Sequence, residues 1–387
     1  MTIEKLISLL CLFLFGNGLF VLKGQSIVLA PDSSGVFGKM VAWGETVLDA
    51  FSVEKGRHSL AVYPAAGYTP RTGIEFGVMP IWRIDPMQRE GSVYYRPTTL
   101  TSNLLVSTTG MYEADFEIDA FTASGFRFSS KLQWLFLPDK FYGVGNHHAS
   151  TLPFEFDATR IQFSGMVAKA LVDEWFVGLS YDFGKYSHRP RIPNSQRAEI
   201  EGSAGGWANQ VGPLWVYDTR NNATYPQKGW LVQASGVFSR GWMGSGFNYG
   251  QTMADARVYQ QLGRMVLASQ FQVTVSDGQI PFFKMPALGG KRALRGIPHP
   301  NKYIGRHMWL VQGELRRDVW WRFGAVVFAG AGESFGNSGE MFSYIKYTAG
   351  AGIRFKALPA ENLNFRIDYG IASGGDHAVY FTLREAF

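Results

Sequence analysis

Three groupings in this sequence have the residue types that could do chemistry. Gly332-Glu333-Ser334-Phe335-Gly336 fits G-x-S-x-G, the turn that exposes a nucleophilic serine in esterases. That turn needs a strand-to-helix switch in an α/β sheet, with the other triad members further along the chain. Here it falls in a predicted hairpin loop, so no hydrolase or other enzyme is expected. His147-His148 could suggest a metal, but adjacent strand residues face opposite ways and no Cys or further His lies nearby. Neither a metal nor another cofactor is therefore expected. The third grouping is a row of acids at alternate positions, Glu113, Asp115, Glu117 and Asp119. It could line a cation path, or be a solvated wall balanced by Lys and Arg elsewhere.

The elements that would position these residues follow from the same spacing. Ala114, Phe116, Ile118 and Ala120 alternate with the acids, and strict alternation sends the two sets to opposite faces of a strand. Water on one face and something apolar on the other are then both required, which a bilayer outside and a wet interior supply. Ile74, Phe76 and Val78 alternate in the same way. About sixteen such segments can be drawn, many roughly 11 residues long, the length at which a tilted strand crosses a membrane. They begin with a short one at 57–63, include 307–319 and 322–332, and end at 378–387. Long gaps near 137–156, 185–207, 276–306 and 332–344 alternate with short ones, except for the gap near 84–97. The expected fold is all-β: a transmembrane antiparallel β-barrel of about 16 strands, which closure leaves without free edges. Trp134, Trp175, Trp207, Trp215, Trp230, Trp309, Trp320 and Trp321 fall near predicted strand ends, as interfacial girdles would.

Composition excludes the competing classes. Of 387 residues only 18% are charged, 15% are aromatic and 45 are glycine, against roughly 25% charged and ~7% glycine in ordinary chains. A chain this apolar is not intrinsically disordered. Its mean hydropathy of −0.06 argues against a helical membrane protein. One cysteine, Cys11, excludes a disulfide scaffold. The net charge of +6 comes from scattered Lys and Arg, so a nucleic-acid partner is not expected. Lys5 followed by the apolar run Leu6 to Phe15 reads as a signal peptide over 1–24. Residues 25–56 read as a short periplasmic segment, with an amphipathic helix possible over Phe37 to Phe51, and 57–387 as the barrel.

The stretch Leu288-Gly289-Gly290-Lys291-Arg292-Ala293-Leu294-Arg295-Gly296-Ile297-Pro298 resembles the long sixth extracellular loop of the BamA/TamA-type outer-membrane assembly barrels, the bacterial surface antigen family. In that family a [VL]-R-G-[FY] tip folds back into the lumen; here the tip is Leu294, Arg295, Gly296 and Ile297, with an aliphatic last. Further motifs agree in order. Pro64 to Gly73 resembles the first hairpin, and Tyr142-Gly143-Val144-Gly145-Asn146 a third-loop motif. Asp218-Thr219-Arg220-Asn221 with Pro226-Gln227-Lys228-Gly229 resembles the periplasmic turn after strand eight. Val379, Phe381 and Leu383 on one face, ending at Phe387, resemble the C-terminal recognition signal of outer-membrane barrels.

The resemblance also implies how the loop is held. In the family two acids on neighbouring strands pair with the tip arginine; the first maps to Glu314, while the second, in F-x-D-x-G, maps to Gly330 of Phe328-Ala329-Gly330-Ala331-Gly332. Arg295 is thus expected to have one acid, Glu314. Family members also carry POTRA domains, for which the 25–56 segment leaves no room. The implied role is outer-membrane protein assembly or insertion, alone or as a subunit. Its partners would be outer-membrane lipid, client barrels and a periplasmic protein supplying the POTRA function, in the outer membrane of a Gram-negative bacterium. The alternative is a passive channel or structural barrel.

Overall fold

Alternation between apolar and polar residues resolves into strands throughout. The computed structural model describes residues 52–86, 96–145, 153–172, 174–191, 200–223, 225–358, 363–383 and 385–387. The expected signal peptide, the possible helix over Phe37 to Phe51, and His147-His148 lie outside the described residues. The barrel strands are β1 (His58–Thr69), β2 (Gly73–Ile84), β3 (Thr98–Ser107), β4 (Tyr112–Phe121), β5 (Phe126–Phe141), β6 (Phe154–Val172), β7 (Trp175–Pro190) and β8 (Gly205–Asp218). They continue as β9 (Gly229–Ser239), β10 (Tyr249–Leu262), β11 (Met265–Gly278), β12 (His307–Trp320), β13 (Phe323–Phe335), β14 (Lys346–Leu358), β15 (Leu363–Ala372) and β16 (His377–Leu383). Each pairs antiparallel with its neighbours in order, and β16 returns to β1, closing a 16-strand barrel.

The outer face is apolar and the inner face polar. On β2, Ile74, Phe76 and Val78 are exposed while Glu75 and Met79 are buried; on β15, Ile367, Tyr369 and Ile371 are exposed while Arg366 and Asp368 are buried. That inversion of a soluble protein places lipid outside and the ionic groups within. The acids of β4 face inward: Lys131 and Asn103 bond Asp115, Gln133 bonds Glu113 and Arg127 bonds Asp119. The row is a balanced inner wall.

Closure is uneven. β5 and β6 are laddered from Phe126↔Lys169 to Phe141↔Phe154, whereas β16 meets β1 in a single register pair, Phe381↔Tyr68. The lower part of β1 is paired instead with a short strand just before it, Ser52–Lys55, from Ser52↔Ala61 to Lys55↔His58.

Three expectations about the seam and girdles are corrected. β1 is not short: it runs through Pro64, where the prediction stopped it, because a proline is tolerated on a sparsely paired edge. β16 stops at Leu383 rather than Phe387, because Glu385 and Phe387 turn inward to polar and aromatic partners described below. Trp309 is not in a girdle; it is buried against Phe342. Trp175, Trp215, Trp230, Trp320 and Trp321 do gather near the rim with short turns, and Trp207 near the other, while the exposed Trp134 sits mid-strand.

Candidate functional site: a latched loop

The longest connection, 279–306, is tied at its base by a two-stranded ladder, Ala287–Leu288 with Tyr303–Ile304. Its tip packs on the inward faces of β12, β13, β15 and β16. Leu294 and Ile297 are fully buried with Leu288, Tyr303, Met308 and Leu310. Leu294 has φ of 41°, a left-handed conformation that costs a non-glycine residue of order 1–3 kcal/mol. Gly296 has φ of 122°, and a Cβ there would lie 2.7 Å from the Ile371 carbonyl oxygen, so the tip requires glycine. The Tyr380 hydroxyl donates to the Ile297 carbonyl at 2.7 Å, and the Leu294 amide to Gln312 Oε1 at 3.3 Å.

Arg295 is 1% exposed. Its guanidinium donates to Glu314 Oε2 at 2.5 Å and Asp368 Oδ2 at 2.8 Å, and its face lies 3.7 Å from the Phe328 ring centroid. The expectation of one acid is therefore corrected. Gly330 does lack a carboxylate, but the second acid comes from Asp368 on β15. The two facts fit together, because a Cβ at Gly330 would meet Leu294 Cδ2 at 2.7 Å and Gln312 Cβ at 2.9 Å. The leucine of the tip occupies the space an aspartate would need.

The charges extend well beyond one pair. Glu314 also accepts from Arg316 Nε at 2.6 Å; Asp368 accepts from Arg354 at 2.6 Å and Arg366 at 3.1 Å. Glu385 takes Arg354 Nε at 2.8 Å and Asn364 Nδ2 at 3.1 Å. Four buried arginines thus share three buried acids, and each shared carboxylate offsets the desolvation that an unpaired buried charge would suffer. Arg316 then reaches the Pro226 carbonyl at 3.2 Å and the Phe387 carbonyl at 3.1 Å. The loop tip, the turn after β8 and the last residue, three separate motifs in the sequence, are joined through this one side chain.

The other sequence-predicted residues fall around that network. Asp218 is 1% exposed and is held by Arg220 at 2.9 Å and Arg96 at 3.0 Å; Arg96 comes from the anomalously long β2–β3 connection. Gly229 has φ of 103°, and a Cβ there would lie 2.3 Å from the Thr219 carbonyl oxygen. Phe381 stacks on Phe365 at 5.6 Å. Leu383, expected on the same face as Phe381, packs on the inward cluster Ala61, Tyr63, Ala65 and Met79. Phe387 is buried against Tyr259 and Ala268.

The Omp85 superfamily domain matches residues 83–385. The chain belongs to the Omp85 superfamily. Barrels of this superfamily sit in the outer membrane. Among solved structures, the Omp85 fold here is similar to BamA from Haemophilus ducreyi lacking POTRA domains 1–3, with 14% identity, TM-score 0.58, and coverage of 86% of this chain and 70% of that one. It is also similar to CdiB from Acinetobacter baumannii (10% identity, TM-score 0.54) and from Escherichia coli (9%, 0.57); each covers 86% of this chain. The chain spans 60% and 63% of those two CdiB chains. No curated protein sequence matches it.

In this Omp85 barrel the loop has a second anchor on the opposite wall. Asp139 of β5 accepts from Arg71 Nε at 3.1 Å, His299 Nε2 at 3.1 Å and Asn301 Nδ2 at 2.9 Å. The third-loop motif joins it: Val144 bridges Ile304, whose carbonyl accepts from the Gly145 amide at 2.5 Å. Glu333 of the G-x-S-x-G stretch has a structural job, accepting the Phe342 and Tyr344 amides at 2.5 and 2.6 Å, and Ser334 beside it is fully buried. Sequence reasoning missed Arg316, Arg354, Arg366, Asp368 and Glu385. The available signal was charge at inward positions of apolar strands, as in Glu314-x-Arg316 and Arg366-x-Asp368.

Proposed function

We propose that this chain acts in outer-membrane protein assembly or insertion, with a separate periplasmic protein supplying client capture, and that the role is non-catalytic. The reading rests on the seam. Among the described residues, the single register pair between β1 and β16 is the smallest ladder between neighbouring barrel strands, and each backbone hydrogen bond contributes only about 0.5–1.5 kcal/mol net. Opening there loses far less than opening between β5 and β6. The β1 edge so exposed is a template for strand addition. Ser52–Lys55 already uses that edge, so a client strand would take its place. The loop, held by Arg295 and occupying the lumen, would keep the barrel sealed while the seam opens.

The test is a reversible lock. Tyr68 and Phe381 are directly opposite, and opposite residues lie about 4.5–5.5 Å apart, within disulfide range. Tyr68→Cys with Phe381→Cys, in a chain whose Cys11 is replaced, should halt accumulation of other outer-membrane barrels when oxidised and restore it on reduction. A control disulfide at Leu132 and Phe163, within the long β5–β6 ladder, should do nothing. A normal barrel complement with the seam locked sinks the reading. Altered small-solute permeability beside that normal complement would make the protein a passive channel.

A further inference from the structure

Against the loop lies a cavity of about 380 Å³ that Arg295 does not line. One wall is formed by β16 and β1 to β6, and the other by the loop at Gly290, Lys291 and Arg292. Arg71, Lys131, Arg160, Lys291 and Arg292 line it, against the acids Glu75, Glu113 and Asp115. Much of that charge is already committed. Arg71 is bonded to Asp139, and Lys131 to Asp115 at 2.9 Å; Glu75 accepts from the Thr72 hydroxyl at 2.5 Å, and Glu113 from Gln133. Among the described residues, no carboxylate is bonded to Arg160 or to Lys291. The Nε of Arg160 is buried and has no acceptor among the described residues. Lys291 opens onto the cavity, and enclosure by the barrel lowers its pKa below the usual lysine value, with Glu75 the strongest opposing influence.

We propose that this cavity is a binding site for a small polyanion, held between Arg160 on β6 and Lys291 on the loop. A planar guanidinium presents paired donors suited to a phosphate or carboxylate, and a lysine adds a second point of charge. A ligand with an anionic group at each end would tie the free side of the loop to the wall facing it. The volume lies within the ~300–1,000 Å³ of ordinary small-molecule sites. The proposal goes beyond the assembly role and stands whether or not the seam admits clients.

The experiment is calorimetric titration of the full chain in a zwitterionic detergent at ~0.15 M NaCl, where diffuse attraction is screened beyond ~8 Å. Inorganic pyrophosphate and citrate are the probes, in separate arms. One saturable site is expected for at least one of them, and the arm that responds identifies phosphate or carboxylate chemistry. Arg160→Gln and Lys291→Gln should each weaken it at least tenfold, while Glu113→Gln, which removes a competing acid, should tighten it. Heat-modifiable gel mobility checks that each variant keeps its barrel. The absence of saturable heat in both arms overturns the proposal, as does wild-type binding by both Gln variants of the cations.

Discussion

The loop is fastened twice, and the two fastenings differ in kind. At Arg295 the guanidinium is 1% exposed, both of its acids are fully buried, and those acids are shared with Arg316, Arg354 and Arg366. At Asp139 one carboxylate serves three side-chain donors, of which Arg71 is 27% exposed and His299 is titratable. The first anchor has no state in which it can let go cheaply, because every partner left behind is a desolvated charge. The second borders water and can exchange its partners for solvent. The wall of β12 to β16 therefore holds the loop permanently, and the wall of β5 holds it conditionally.

The sharpest test removes Asp368, whose carboxylate meets three guanidiniums. Breaking a buried ion pair by deleting one partner costs about 3–5 kcal/mol, and Asp368→Ala should reach that range. Trypsin should then cut at Lys291 and Arg292 in folded barrels, and the unfolding midpoint should fall. Asp139→Ala should leave both much closer to wild type. Equal opening by the two variants would erase the distinction between the anchors.

A smaller effect is expected where the resemblance would suggest a gain. Gly330→Asp supplies the acid that the resemblance to BamA/TamA-type barrels led one to expect there, yet its Cβ would press on Leu294 and Gln312. Overpacking of this sort costs typically about 1–3 kcal/mol, so the variant should melt lower than wild type. Adding Leu294→Ala should recover part of the loss by making room. If Gly330→Asp alone raises the melting midpoint, the steric account of this departure is wrong.

These residues also mark what could be read in advance. Lipid outside and water inside impose period two on every spanning strand, so sixteen segments were legible, from Ile74-x-Phe76-x-Val78 to Val379-x-Phe381. Arg295 and Glu314 were legible through a motif. Asp368 was not. Its inward direction follows from alternation with Ile367 and Tyr369, but its meeting with a side chain 73 positions away depends on how far each strand is staggered around the barrel. The inward turn at Glu385 and Phe387 was hidden for a related reason: alternation predicts continuation, and only Arg354 and Arg316 waiting inside explain the departure. Trp309 looked like a girdle residue because strand ends and buried positions beneath a loop are indistinguishable by spacing.

The subtlest difference between the anchors is in pH. His299 donates through Nε2 to Asp139, which leaves Nδ1 as a buried acceptor with no partner among the described residues. Protonation would turn Nδ1 into a buried donor with no acceptor among the described residues, with the positive charges of Arg71 and Lys140 nearby and the Tyr142 ring tilted against it at 5.3 Å. Burial accordingly lowers the imidazole pKa below its ordinary 6.5, despite Asp139. A group whose folded pKa is depressed takes up its proton more readily when released. The seated form is therefore fully favoured above about pH 6.5 and loses ground as pH falls through that value toward the folded pKa. Hydrogen exchange across residues 297–303, corrected for intrinsic rates, should show protection declining between pH 7.5 and 5.5, while protection around Arg295 stays level. His299→Gln keeps a donor for Asp139 without the titration and should flatten the profile. Should the decline persist in that variant, the conditional anchor owes its pH response to some other group, and the contrast between the two walls must rest on solvent access alone.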